Sequence, residues 1–279
     1  MDYRRSFRQY RLTALSRRLR YLLSRLVGSR LQKSQKVYVV EINDSRFKRV
    51  VLRDSHLAAN IEAALEQFGP SPRIPGFVIR YEHEVWVDFV TGEIPGEVSD
   101  DLVRELAAFY AHIYARAPRA VPAEGSVWVG RLRRDLRFLE RVGVLSATAH
   151  AEIGNRIAGL MSSTFWIGFD YNDPVVKNFI RTPEGVLCGI DVESLVPDQL
   201  IGLGVAKALL RWMDPYRAVF LEAIKSTDAP EFVSYLEFIE LSFLAAYTKL
   251  MFVERKWANV DPARFDRYAR PHEPNSSGG

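Results

Sequence analysis

Trp166-Ile-Gly-Phe-Asp-Tyr-Asn-Asp-Pro-Val-Val-Lys-Asn-Phe-Ile-Arg-Thr-Pro-Glu-Gly-Val-Leu-Cys-Gly-Ile-Asp-Val-Glu193 is the stretch on which the fold turns. Two short apolar runs, Phe179–Ile180 and Val186–Ile190, flank the turn signal Pro183-Glu184-Gly185. Composition and spacing predict a β-hairpin there. Asp173 and Asn178 precede it and Asp191 closes its second strand, so one rigid element carries all three. Two carboxylates and a carboxamide are hard oxygen donors of the kind that hold Mg²⁺ jointly with phosphate groups. Read alone, Asn172-Asp173-Pro174 also fits an ordinary turn whose side chains cap their own backbone.

The spacing of these three residues resembles the catalytic core of the protein-kinase-like superfamily, where Asp is followed by Asn five residues later and a second Asp ends the next hairpin. The form Ile190-Asp191-Val192-Glu193 is similar to that of aminoglycoside, choline and lipopolysaccharide-core sugar kinases. The resemblance implies that Asp173 orients the attacking hydroxyl and accepts its proton. It implies that Asn178 and Asp191 hold the metal ions that bridge ATP phosphates. Tyr171 stands where those families carry a His.

The order of elements upstream extends the resemblance. Val37–Val40 and Val50–Leu52 read as strands joined at Asn43-Asp44-Ser45, and Leu57–Phe68 as a helix ended by Gly69-Pro70. Phe77–Tyr81 and Val85–Val90 follow as further strands, then Thr91-Gly92-Glu93. Matched to the family, Gly28 marks the phosphate-covering loop and Arg53 replaces the phosphate-binding lysine. Glu62 is the expected ion-pair partner of Arg53, with Glu66 as the other candidate, and backbone groups near Asp88 and Val90 meet the adenine edge. Lys48 substitutes for Arg53 if the strand register differs.

Composition is that of a globular protein: 279 residues, 48% hydrophobic and 26% charged. A single cysteine, Cys188, excludes an internal disulfide framework and fits a reducing compartment. No apolar run reaches the length of a membrane span and the N-terminus lacks a secretory signal's apolar core. No His or Cys spacing suggests zinc. Charge is uneven. Residues 1–36 hold eleven Arg or Lys against Asp2, an excess of +10; the whole chain carries +4, so the remainder carries −6.

Within that segment Leu12, Leu15, Leu19, Leu22 and Leu26 form one helical face, with Arg11, Arg18 and Arg25 beside it. Such a basic amphipathic helix fits an anionic membrane surface, and equally a helix packed on the main domain with its arginines in water. Nucleic acid ranks lower, because no recognised nucleic-acid motif accompanies the arginines.

Beyond Gly92 the chain reads as helical: Leu102–Arg116, Val129–Val142, His150–Met161, Leu200–Met213, Tyr216–Lys225 and Glu231–Lys256. Leu195–Gly202 is expected to pass directly into helix, without a protein-kinase activation segment, which favours a small acceptor over a protein. The fold expected is α+β and two-lobed, protein-kinase-like, with a small β-rich N-lobe (28–92) and a larger helical C-lobe (93–268). A basic N-terminal segment (1–27) precedes these lobes and a disordered tail (269–279) follows. The function expected is ATP- and Mg²⁺-dependent phosphorylation of a hydroxyl on a small molecule or sugar, of the lipopolysaccharide-core type. The enzyme is expected in the cytoplasm, peripheral on the inner face of the membrane. The competing reading is a catalytically weak pseudokinase acting as a binding module.

Overall fold

The structure is a computed structural model and describes residues 36–269. The helix expected within residues 1–27, Gly28 and the tail beyond 269 lie outside the described residues. Within them the chain forms two compact units: residues 36–69 with 75–89, and residues 70–74 with 90–269.

The smaller unit begins with the hairpin β1 (Lys36–Ile42) and β2 (Ser45–Val51), followed by helix α1 (Ser55–Phe68), β3 (Phe77–Tyr81) and β4 (Glu84–Asp88). The two-residue turn Asn43-Asp44 takes positive φ at both positions, the geometry that matches strand twist in tight hairpins. The antiparallel sheet has the order β1-β2-β4-β3. On one face Val40, Phe47 and Trp86 form a cluster with Ile42, Val78 and Ile79. Val50, Val85 and Val87 lie on the other face, each at most 1% exposed. Asp54 caps α1, its carboxylate accepting from Leu57 N at 3.0 Å.

The larger unit contains α2 (Asp100–Tyr114), β5 (Arg119–Pro122), α3 (Val127–Arg141), α4 (Ala147–Arg156) and β6 (Thr164–Tyr171). The short hairpin β7 (Phe179–Arg181) and β8 (Leu187–Gly189) follows, then β9 (Leu195–Leu200), α5 (Leu203–Ala208), α6 (Arg217–Lys225) and α7 (Leu236–Val253). Ser99, Ser126 and Ser146 cap α2, α3 and α4 by accepting backbone N–H groups three residues on. Phe109, Tyr110, Ile113 and Tyr114 on α2 are fully buried. Each such side chain contributes about 1.5–3 kcal/mol of burial. Among the described residues no helix is long and apolar enough to cross a membrane.

Two expectations are corrected. Leu195–Leu200 does not run straight into helix: it is strand β9, paired antiparallel with β6. The helix expected over Leu200–Met213 begins at Leu203 and widens to a π-helical turn at Leu209–Met213. The second correction concerns Arg53 and Glu62. β2 ends at Val51, so Arg53 lies beyond the sheet, exposed, paired at 3.2 Å with its neighbour Asp54. Glu62 pairs instead with Arg80 of β3. Arg80 stands opposite Val85 and so shares the α1-facing side with Val50 and Val87. Lys48, opposite Val87, and Arg46 two residues before it are the β2 cations on that side. Arg49 is on the other face, bonded to Glu84 at 2.9 Å.

Candidate active site

The site is assembled by the ends of β6 and β8. β6 is the central strand of the order β5-β6-β9 and its last residues are buried. Past Tyr171 the pairing continues for one residue, Asn172 N donating to Ser194 O at 2.7 Å. The chain then turns sharply: Val175 N donates to Asp173 O at 2.9 Å and Asn178 N to Val175 O at 2.8 Å. This places Asn178 back beside Asp173. Its carboxamide donates to the Asp173 carbonyl at 3.0 Å and to its Oδ2 at 3.1 Å, and reaches Asp191 Oδ2 at 3.5 Å.

Asp191 lies two residues beyond the end of β8. Ser194 Oγ donates to its Oδ2 at 2.7 Å, and Ile190 N donates to Asn178 O at 2.9 Å. Asp173, Asn178 and Asp191 therefore converge, held by the turn and the hairpin. Among the described residues no group of three or more His, Cys, Asp or Glu could hold a metal alone. Two carboxylates and one carboxamide oxygen are instead the incomplete set that suits Mg²⁺ sharing its other positions with phosphate and water.

Tyr171 turns out to tie this site together. It is fully buried, and its hydroxyl donates to Asn178 O at 3.2 Å while accepting from Asp191 N at 2.9 Å. One phenol thus joins the loops that carry Asn178 and Asp191. Its ring meets Phe109 and Phe179 at 5.2 and 5.4 Å between centroids. Burial, then the Asp191 charge, pushes the phenol well above its ordinary pKa, so it stays protonated as a donor. Behind it, Tyr110 Oη donates to Tyr171 O at 3.0 Å. The backbone of Gly204 approaches the same carbonyl so closely that a Cβ there would lie 2.2 Å from it.

Asp170, fully buried, accepts from Gly202 N and Gly204 N at 3.1 Å, which fastens the start of α5 to β6. Burial raises its pKa to about 6 against these stabilising N–H bonds.

Lys207 and Arg211, one turn apart, come to the site without having been singled out in the sequence. Lys207 Nζ donates to Asn172 O at 2.9 Å, and burial lowers its pKa. Arg211 Nη1, from the π-helical turn, pairs with Asp173 Oδ1 at 3.1 Å. Only their four-residue spacing, which puts both on one helical face, could have signalled them.

Of the other expected site residues, Arg53, Glu62 and Asp88 belong to the smaller unit. Asp88 N and Phe89 N are engaged in the smaller unit, by Gly76 O at 2.9 Å and Arg46 O at 3.3 Å. Val90 opens the second segment of the larger unit. Gly92 is required by a close approach: its φ is 147° and a Cβ would lie 2.2 Å from Arg181 O.

Comparison with solved structures defines the class of fold. No family model matches the chain. No curated protein matches it by sequence. The chain has the protein-kinase-like fold in the form seen in small-molecule phosphotransferases. It is similar to macrolide 2′-phosphotransferase of Brachybacterium faecium, with a TM-score of 0.60, 14% identity, and coverage of 90% of this chain and 98% of the other. Choline kinase of Streptococcus pneumoniae gives 0.55 at 12% identity, covering 90% and 97%. Aminoglycoside 2′-phosphotransferase-IIIa, solved with GDP, gives 0.54 at 13% identity, covering 90% and 96%.

Proposed function

We propose that the protein is an ATP- and Mg²⁺-dependent phosphotransferase acting on a hydroxyl of a small molecule. The observation that carries this reading is the convergence of Asp173, Asn178 and Asp191 at the end of one hairpin. In this reading Asp173 orients the acceptor hydroxyl and takes its proton as the new oxygen–phosphorus bond forms and ADP leaves. Asn178 Oδ1 and the Asp191 carboxylate hold Mg²⁺, which neutralises charge on the phosphates. Ser194 and Tyr171 fix the two loops so that little reorganisation accompanies transfer. Lys48 rather than Arg53 supplies the smaller unit's phosphate-binding cation, because it alone of the two lies in β2 on the α1 side.

The similar structures include kinases of amino alcohols and phosphotransferases of antibiotics, which supports a small hydroxyl acceptor. A sugar on a membrane lipid, of the lipopolysaccharide-core type, remains our proposal for the acceptor's setting. It rests on the basic segment 1–36, which would hold a cytoplasmic enzyme peripherally on an anionic membrane surface. The pseudokinase reading draws on one observation, the absence of an Arg53–Glu62 pair.

The test is turnover. Purified protein with MgATP and a mixture of hydroxyl compounds should form ADP. Asp173→Ala should lower the rate on the order of a hundredfold or more, and Asp191→Asn should remove the Mg²⁺ dependence of nucleotide binding. No nucleotide binding, with both variants indistinguishable from wild type, would favour the binding module.

A further inference from the structure

We propose that the acceptor carries a negative charge, as phosphate or carboxylate, close to its reacting hydroxyl, and that Arg211 holds that group. The inference rests on the phosphotransferase reading and deepens it.

Among the described residues Arg211 is paired with the proposed proton acceptor, its Nη1 lying 3.1 Å from Asp173 Oδ1. Its side chain is 39% exposed and that of Asp173 is 47% exposed, so both are open to an incoming molecule. A guanidinium has five N–H donors in a planar fork, and Arg211 directs Nη1 at Asp173. The remaining donors suit a carboxylate or phosphate.

Cationic side chains gather around this turn, opposed by the carboxylates of Asp170 and Asp173. Lys207 is one helical turn before Arg211, and Lys177 is exposed on the turn between Asp173 and Asn178. Arg264 Nη2 donates to the carbonyl of Leu210 at 3.1 Å. The acid on the same segment, Asp214, is already bound by Arg217 at 2.8 Å. A cationic acceptor would meet like charge here; an anionic one would be drawn in.

An apolar wall accompanies the charge. The rings of Lys207's and Arg211's neighbour Phe243 lie 5.7 Å from each cation, and Phe243 stacks with Tyr247 along α7 at 5.9 Å. Both rings are half-buried, which leaves surface for the carbon skeleton of a polyol or sugar. The chemistry expected is therefore a hydroxyl compound bearing an acidic group, either free or as a lipid headgroup.

The experiment titrates the full chain, saturated with MgADP, with glycerol 3-phosphate and glucose 6-phosphate, their uncharged parents glycerol and glucose, and choline. The phosphate esters should bind about tenfold or more tightly than the parents and choline. Arg211→Gln should remove that advantage while leaving MgADP affinity within about twofold, and Arg211→Lys should restore most of it. Vesicles of phosphatidylglycerol, against phosphatidylcholine, identify the source: retention lost in Arg211→Gln places the charge on a lipid, and binding of the soluble esters alone places it on a free metabolite. Equal binding of charged and uncharged probes, including none by any, overturns the inference. So does an Arg211→Gln variant that keeps the full preference for the esters. The underlying reading fails separately, through absence of MgADP binding in the wild-type protein.

Discussion

Replacing Tyr171 by Phe removes one oxygen atom from the centre of the candidate site and nothing else. The hydroxyl accepts from Asp191 N at 2.9 Å and donates to Asn178 O at 3.2 Å. Asn178 O keeps its bond from Ile190 N at 2.9 Å, so the acceptor is not orphaned. The Asp191 N–H loses its phenol partner in a region where Tyr171 is fully buried. A lost buried hydrogen bond costs about 1 kcal/mol and a stranded donor about 1–3 kcal/mol. Contacts of the ring with Phe109 and Phe179 survive. The expected destabilisation is therefore about 2 kcal/mol, read from urea unfolding followed by tryptophan fluorescence.

The functional effect should exceed what stability alone explains. Both loops of the proposed metal site are bonded to this phenol, and losing such outer-shell support typically costs about tenfold to a hundredfold in metal affinity or activity. Tyr171→Phe should weaken MgATP binding by about tenfold, measured by calorimetry below the unfolding transition. A variant within about 0.5 kcal/mol of wild type that binds MgATP equally well would refute the bridging role.

Two other predictions follow from burial and register. Asp170 has a folded-state pKa of about 6 against an ordinary 3.8. The stability it contributes is therefore full below its unfolded pKa and is lost as pH rises through about 6. Between about pH 5 and pH 7.5 that loss is about 1.4 kcal/mol, so wild type should lose that much more than Asp170→Asn over the interval; parallel stability curves would contradict it. In the smaller unit, Lys48→Ala should weaken ATP binding about tenfold while Arg53→Ala leaves it within about twofold. The reverse order would return the role to Arg53.

The hairpin was legible because it is local. Pro183-Glu184-Gly185 between two apolar runs specifies β7 and β8, and the spacing of Asp173, Asn178 and Asp191 travels with it. β6 was harder to read. Nearly all of Thr164–Tyr171 is covered, so it lacks the alternation that marks a half-exposed strand. β9 is disguised by Pro197 and by Asp198, whose φ of 54° belongs to a turn signal inside a strand. The resemblance puts the phosphate-binding cation at Arg53, but strand register decides which cation faces α1, and β2 stops two residues earlier. Arg211 and Lys207 act on residues more than thirty positions away, and no local pattern encodes that contact.

The Mg²⁺ dependence of ATP affinity in Asp191→Asn, set beside wild type, bears most directly on the central claim. Wild type should bind ATP about tenfold or more tightly with Mg²⁺ than without it. In Asp191→Asn that difference should vanish, while Mg²⁺-free affinity stays within about twofold of wild type. ATP binding that ignores Mg²⁺ in the wild-type protein, or an unchanged Mg²⁺ dependence in Asp191→Asn, would contradict a metal–nucleotide site built on Asp173, Asn178 and Asp191.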